Sequence, residues 1–113
     1  MFIDNETRLR HILDAAREAV LFAQDKTRSD LNTNRMLTLS LVKCIEIVGE
    51  AAANITRERQ NELPQIPWPQ IIGMRNPLIH AYFEVNLDIV WDVVTDNLPP
   101  LIAELEKIIP SEQ

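Results

Sequence analysis

Four side chains of catalytic or ligand-binding type stand within one short stretch: Arg75, Asn76, His80 and Tyr82. On a helix, Asn76 and His80 share a face at i, i+4, and Arg75 and Tyr82 share the neighbouring face at i, i+7. An imidazole exchanges protons near neutral pH, a guanidinium holds a phosphate through parallel hydrogen bonds, and an amide orients either group. Without a metal, this set could move a ribose 2′-hydroxyl onto its own phosphodiester. His80 would be the general base or acid, and Arg75 would face the charge that develops at phosphorus.

One copy of this set is incomplete, because an in-line displacement needs both an acid and a base. Two copies related by a twofold axis would supply both groups. We therefore expect a homodimer in which Arg75 and His80 of both subunits surround a shared cleft. A structural alternative stays open, in which Arg75 pairs with a carboxylate and His80 caps a helix.

Hydrophobic periodicity predicts the helices that must position this stretch. The first helix should begin after an Asp4 cap and end near Asp25, and a long second helix should run from a Ser29 or Asp30 cap to Arg59 or Gln60. The apolar stripe of the first is Leu9, Leu13, Ala16 and Val20. The seam of the second, suited to antiparallel packing or dimerisation, is Leu41, Ile45, Val48, Ala52 and Ile55.

Several residues near these stripes are of types that can serve catalysis or ligand binding, but we expect each of them to have a structural or solvent-exposed role instead. Cys44 is expected to be a small buried hydrophobe rather than a nucleophile. His11 is expected to be a solvated surface side chain. Glu46 and Glu50 form a solvated acidic face rather than a metal site, and Gly49 and its small neighbours favour close helix packing.

A proline-rich connector, 61–69, should end the second helix, with Pro69 opening a third that ends near Tyr82. Trp68 is expected to anchor the third helix rather than stack on a base. Pro77 predicts a kink between Arg75 and His80, softened by Gly73. The residues of the third helix expected to face inward are Ile71, Ile72, Met74, Leu78 and Ile79.

A final helical region should begin at an Asn86 cap and bend at residues 97–100, where Asn97 would cap a new helix carrying Pro99 and Pro100 in its first turn. Its apolar seam is Leu87, Trp91, Val94, Leu98, Leu101, Leu105 and Ile108. Together the patterns predict an all-α, up-and-down bundle of four to five helices.

The chain has 113 residues and a net charge of −6, and we interpret 1–113 as a single domain. The stretch 76–113 contains one basic residue and seven acidic ones, so RNA would have to approach residues 1–75. A single cysteine favours a reducing compartment, and no leader or membrane segment is recognisable, which predicts a soluble, cytoplasmic protein. No glycine-rich phosphate loop appears, so no bound nucleotide cofactor is expected, and no metal either.

The pattern Arg75-Asn76-x3-His80-x-Tyr82, with the flanking runs 45–52, 68–73 and 87–91, resembles the HepT-like branch of the HEPN superfamily, and the likeness covers nearly the whole chain. The resemblance implies an all-helical dimeric toxin ribonuclease cleaving transfer RNA or messenger RNA, with Arg75, Asn76 and His80 as its catalytic residues. It also implies a partner, a small nucleotidyltransferase antitoxin of the MntA type that adenylylates (AMPylates) the Tyr82 hydroxyl.

The main alternative is a helical binding subunit without ribonuclease activity, which partners a nucleotidyltransferase and keeps the motif only for that interface. Pro77 and the acidic balance of the chain favour this alternative. A purely structural helical bundle is a further, weaker alternative.

Overall fold

The computed structural model describes residues 4–75 and 86–110, which form helices joined by turns, with no strand in either range. The predicted all-α bundle is confirmed. In chain order the helices are α1 (Asn5–Ala23), α2 (Asp30–Thr33), α3 (Arg35–Ala53), α4 (Arg57–Glu62), α5 (Trp68–Gly73), α6 (Leu87–Asp92) and α7 (Leu98–Ile108), and a π-turn at Val93–Asn97 joins α6 to α7.

The first helix begins where the sequence predicts. The Asp4 carboxylate accepts a hydrogen bond of 2.7 Å from the Thr7 backbone N–H. This bond and one from the Thr7 side chain lower the pKa of Asp4. The helix ends at Ala23, slightly before the predicted Asp25, because Asp25 adopts a φ of 64° in the left-handed region, which aspartate tolerates better than most residues.

The predicted long second helix is wrong, because the chain breaks it into α2, α3 and α4. Asn34 ends α2, and its side chain accepts a hydrogen bond of 3.0 Å from the Leu37 N–H to begin α3. Thr56 begins α4 in the same way, accepting from the Arg59 N–H at 3.3 Å. Asparagine and threonine side chains can accept hydrogen bonds from backbone N–H groups and so begin a new helix. They therefore break the segment into separate helices, although its apolar residues keep one continuous helical period.

The connector between α4 and α5 is fastened by Trp68, as predicted. Its indole N–H donates to the carbonyls of Gln60 and Leu63, both at 3.1 Å, and the ring is buried. Pro69 is the second residue of α5 rather than the first. The helix ends at Gly73, and the predicted continuation towards Tyr82, with Pro77, Leu78 and Ile79, lies outside the described residues.

The C-terminal rod, defined as α6, the π-turn and α7, begins at the predicted Asn86 cap, whose side chain accepts from the N–H groups of Asp88 and Ile89 at 3.0 and 3.2 Å. A new helix begins after Asn97 with Pro99 and Pro100 in its first turn, as predicted, but the Asn97 side chain makes no capping hydrogen bond. Instead the Leu98 N–H bonds the Val93 carbonyl, one residue further back than in an α-helix. The wider turn brings the chain to two prolines, which have no N–H to donate.

Helix α1 lies between α3 and the C-terminal rod and runs antiparallel to both. Asn5 at its start exchanges hydrogen bonds of 3.0 and 3.1 Å with Thr56 beyond the end of α3, and Arg17 pairs with Glu106 of α7 at 2.7 Å. The α3 seam is buried within the chain, so it serves intramolecular packing. The largest fully buried side chains are Leu9, Ile12, Leu41, Ile45, Ile71, Leu98, Leu105, Val48 and Val90.

Candidate active site

Arg75 follows α5 and lies directly on α3, where Gly49 leaves room for it. A Cβ atom on Gly49 would be 3.0 Å from the Arg75 Cβ and 3.1 Å from its Cγ and Cδ. These distances are shorter than ordinary van der Waals contacts, so any residue with a Cβ at position 49 would displace the aliphatic part of the Arg75 side chain. Gly49 was predicted to allow close packing between helices, and in the structure the space beside it is occupied by the Arg75 side chain.

The guanidinium of Arg75 is held by an ion pair between its Nη1 and the Glu50 carboxylate. This confirms the first half of the structural alternative, in which Arg75 pairs with a carboxylate. The pair is not sealed from solvent, because the side chains of Arg75 and Glu50 are 24% and 66% exposed. The Arg75 Nε is buried without a hydrogen-bond partner among the described residues. Such an unsatisfied donor is uncommon in native structures and calls for an explanation.

Arg75 and Glu50 line an open cleft of about 380 Å³ on the α1–α3 face, hereafter the α1–α3 cleft. Its other lining residues are Arg8, His11, Lys43, Glu46, Ile47 and Ala51. Three permanently cationic side chains therefore face two carboxylates, one of which is already paired with Arg75. The cleft is net cationic in a chain whose net charge is −6.

The cationic side chains of this cleft are not all committed to internal partners. Lys43 is exposed and makes no hydrogen bond or ion pair with any residue in the described ranges. His11 is exposed, as predicted, yet it shares the cleft with Arg75. None of the acidic residues of the C-terminal rod lines the cleft. The arrangement can therefore attract an anion and hold it beside the Arg75 guanidinium.

The other predicted site residues, Asn76, His80 and Tyr82, lie outside the described residues. Their approach to Arg75 and their roles remain predictions. The same holds for the kink that Pro77 is expected to cause.

Sequence reasoning missed most of the surroundings of Arg75. The sequence predicts a solvated acidic face at Glu46 and Glu50, and Glu50 is exposed, but Glu50 also pairs with Arg75 and Glu46 lines the cleft. The i, i+3 and i, i+4 spacing of Lys43, Glu46 and Glu50 does place them on one face of α3. No local pattern shows that Arg8 and His11 of α1 lie opposite that face, because this depends on how the two helices pack.

Cys44 is buried, as predicted. Burial raises the pKa of its thiol to about 11, and the negative charge of Glu18 acts in the same direction. A protonated thiol is a poor nucleophile. The burial of Cys44 confirms the prediction that it packs in the core.

In 4–75 and 86–110, no three histidine, cysteine, aspartate or glutamate side chains converge in a way that could hold a metal ion. Within the same ranges, no helix combines the length and apolarity needed to cross a membrane.

An all-α bundle with an arginine in a cationic cleft suits a protein that handles phosphate esters. The sequence profile of one family, described as "Ribonuclease HepT-like", matches residues 12–108. The match extends over most of the chain, so the chain belongs to the HepT-like ribonuclease family of all-helical proteins.

Individual relatives agree with this family. The chain is 30% identical to a candidate RNase of Methanocaldococcus jannaschii over 91% of this chain and 94% of that protein. It is 32% identical to a candidate ribonuclease HepT of Thermococcus cleftensis, over 85% of this chain and 91% of that protein. It is also 32% identical to the mRNA nuclease HepT of Shewanella oneidensis, over 68% of this chain and 69% of that protein. No solved structure matches the chain.

Proposed function

We propose that this chain is the toxin of a toxin–antitoxin pair and acts as a metal-independent endoribonuclease. The observation that carries the proposal is the seating of Arg75 in a net-cationic, solvent-open cleft of a HepT-like ribonuclease family member. The ion pair with Glu50 holds the guanidinium in place, and a guanidinium has further N–H donors with which to bind a phosphate.

The proposed reaction is an internal transesterification of RNA. His80, acting as base, takes the proton of a ribose 2′-hydroxyl, and the freed oxygen attacks the neighbouring phosphorus. The bond from phosphorus to the 5′-oxygen breaks, that oxygen takes a proton from an acid, and the products are a 2′,3′-cyclic phosphate and a 5′-hydroxyl. Arg75 stabilises the charge on the phosphorane oxygens, and Asn76 orients the phosphate or the imidazole.

The acid in this scheme is His80 of a second copy of the chain, so the proposal includes a homodimer. Light scattering and cross-linking of the purified chain test it. The dimer is rejected if the chain is a stable monomer with full cleavage activity.

Alanine variants of Arg75 and His80 test the nuclease directly. We expect each to lower RNA cleavage by about 10²-fold or more while the helical circular dichroism spectrum stays unchanged. Arg57→Ala is the matched control, because Arg57 is exposed at the start of α4 and does not line the cleft. Parental cleavage rates in Arg75→Ala or His80→Ala would remove that residue from the catalytic set.

The toxin is proposed to be neutralised by a nucleotidyltransferase antitoxin that moves AMP from ATP to the Tyr82 hydroxyl and releases pyrophosphate. The added phosphate would lie two residues from His80 along the chain, where its volume and charge oppose RNA binding. Intact mass after incubation with the partner and ATP should rise by whole AMP units. A Tyr82→Phe chain that takes up AMP equally would exclude this site.

A second candidate function is a helical binding subunit that does not cleave RNA, and the Glu50–Arg75 ion pair favours it because that arginine already has a carboxylate partner. Expression of the chain alone in bacteria separates the two. Growth arrest that His80→Ala relieves supports the nuclease, whereas no effect at any expression level supports the binding subunit.

The substrate class is proposed to be messenger RNA or transfer RNA. The name of the Shewanella oneidensis relative, an mRNA nuclease, supports the first. Sequencing of RNA ends after induced expression distinguishes them, because cuts would fall either in open reading frames or in tRNA loops.

A further inference from the structure

Another opening lies beside Arg75, between α5 with its preceding connector and the C-terminal rod. Its volume is about 480 Å³, and it is hereafter the α5–rod pocket. Met74 lines this pocket, and the next residue, Arg75, lines the α1–α3 cleft. Because consecutive Cα atoms are only about 3.8 Å apart, one RNA strand can reach both openings. We propose that the α5–rod pocket binds an unpaired guanine base of the RNA whose phosphate Arg75 engages. This inference rests on the proposed function and adds a site for base specificity to it.

The floor of the pocket is apolar. It consists of Ile66, Ile71, Met74 and Leu101, all of which are buried. Covering these side chains with the face of a base removes apolar surface from water. Sequence-specific recognition of RNA commonly uses single-stranded bases that are splayed out of the stack in this way. The volume lies within the usual range of ligand sites, about 300–1,000 Å³, so a base with its ribose can enter.

The rim of the pocket is polar and, among the described residues that line it, contains no cation. A rim with carboxylates and without cations repels a phosphate, so it favours a neutral base over the backbone of the strand. Its amides are Gln65, Gln70 and Asn97, and none of these side chains makes a hydrogen bond within the described ranges. Each amide therefore has both a donor and an acceptor available to a ligand.

The two carboxylates of the rim differ in their surroundings. Glu104 pairs with Lys107 at 3.2 Å, so its charge is already compensated. Asp96 is exposed and makes no ion pair with any residue in 4–75 or 86–110. Its hydrogen bond there is a long contact of 3.4 Å from the hydroxyl of the adjacent Thr95. Asp96 is therefore the carboxylate of this rim that can accept hydrogen bonds from a ligand.

Hydrogen-bond complementarity at Asp96 selects guanine. A carboxylate accepts only, and the Watson–Crick edge of guanine presents two adjacent donors, N1–H and the N2 amino group. Asp96 can accept from both while the neighbouring amide of Asn97 donates to O6. Uracil instead places its single N–H between two carbonyl oxygens, which a carboxylate repels, and adenine and cytosine offer one amino group beside an acceptor nitrogen. The π-turn at Val93–Asn97 places Asp96 and Asn97 in succession at the rim, and such insertions are frequent at functional sites.

The test measures binding of fluorescein-labelled 2′-O-methyl hexanucleotides, which cannot be cleaved because their 2′-oxygens are blocked. Each is an oligouridine with guanosine, inosine, adenosine or uridine at one central position, and fluorescence anisotropy with the purified full-length chain gives its Kd. The guanosine probe should bind about tenfold more tightly than the uridine probe. Inosine lacks only the N2 amino group of guanosine, so its probe should bind with an affinity between these two.

Asp96→Asn tests the residue that selects the base. The change keeps the size of the side chain but replaces one acceptor with a donor, which opposes the donors of guanine. The guanosine probe should bind about tenfold more weakly, and the uridine probe should not. Asp92→Asn is the matched control, because Asp92 is an exposed carboxylate one turn earlier on the rod and does not line the pocket. Removal of either negative charge favours binding of any RNA, so a loss confined to guanosine and to Asp96→Asn cannot arise from net charge.

Free guanine nucleotides present the same base as RNA, and a competition measurement distinguishes the two sources. Unlabelled GMP should displace the guanosine probe far less well than the unlabelled guanosine hexanucleotide, because GMP cannot also extend to Arg75. Equal competition would assign the pocket to a free nucleotide and overturn the inference.

The guanine pocket is also overturned if the parental chain binds none of the probes, or if the uridine or adenosine probe binds as tightly as the guanosine probe. It is equally overturned if Asp96→Asn keeps the preference for guanosine or if Asp92→Asn loses it. These results are separable from failure of the nuclease. A chain that cleaves RNA in a His80-dependent manner without preferring guanosine keeps the proposed function and loses only the pocket. A chain that prefers guanosine through Asp96 but cleaves no RNA loses the proposed function and keeps the pocket.

Discussion

The two sides of α1 carry openings of different character. Facing α3 is the α1–α3 cleft, lined mainly by charged groups. Facing the C-terminal rod is a larger groove of about 640 Å³, hereafter the apolar groove. Its lining residues are Arg17, Val20, Leu21, Ala23, Gln24, Lys26, Trp91, Val94, Thr95 and Ile102. Size alone would select the apolar groove as the ligand site, whereas lining chemistry selects the cleft for a phosphate.

The difference follows from helical periodicity along α1. Residues 8 and 11 point towards α3 near the start of the helix, whereas 17, 20 and 21 turn towards the rod near its end. The groove lies over side chains that belong to the core, so changes there should alter stability. The cleft lies over Arg75, so changes there should alter activity.

The largest stability effect is expected in the apolar groove, at Val94, which is 2% exposed. Val94→Ala removes two buried methyl groups and should lower the free energy of unfolding by about 1.5–3 kcal/mol. Chemical denaturation checks this, and the cleavage rate per folded molecule should not change. Thr95→Ala is the control, because Thr95 lines the same groove but is exposed, and its hydroxyl bonds only close neighbours, the Trp91 carbonyl and the Asp96 carboxylate. If Val94→Ala impaired cleavage in fully folded protein, the two sides of α1 would not be independent.

The next effect is expected in the cleft, at Gly49. Gly49→Ala places a Cβ 3.0 Å from the Arg75 Cβ, so the arginine must move by a few tenths of an ångström. Because small misplacements of a charge-stabilising group are costly, RNA cleavage should fall about tenfold. Gly73→Ala is the matched control, since a Cβ there meets nothing within 4 Å. Both changes improve helix propensity, so neither thermal midpoint should fall greatly. Equal cleavage rates in the two variants would mean that the packing of Arg75 against Gly49 is not needed for RNA cleavage.

Sequence alone predicted the parts of this molecule that depend on local pattern. The Asp4 and Asn86 caps, the α3 seam, buried Cys44 and the Trp68 anchor follow from side-chain type and spacing, and the structure has them all. The long second helix failed because Asn34 and Thr56 cap new helices inside a continuous apolar pattern. Periodicity measures which face is buried, and it does not register a competing hydrogen bond.

The site was predicted less completely than the fold, for a related reason. Arg75 stood out by residue type, but its seat on Gly49 and its pairing with Glu50 join positions far apart in sequence. Such contacts depend on the angle at which α5 crosses α3, and the spacing of residues in the sequence does not predict that angle. The same applies to Arg8 and His11, whose place in the cleft depends on the antiparallel packing of α1 against α3.

The smallest effect is expected at Arg17, the cation of the apolar groove that pairs with Glu106 of α7 at 2.7 Å. Both side chains are about half exposed, at 50% and 49%, so water and salt screen the pair. Arg17→Ala should lower the free energy of unfolding by at most about 1 kcal/mol, and the difference from the parental chain should shrink at high salt. Denaturation at two salt concentrations measures both. The cleavage rate per folded molecule should remain parental, because Arg17 faces away from α3. Slower cleavage by fully folded Arg17→Ala would mean that RNA also contacts the rod side of α1, and the distinction between cleft and groove would fail.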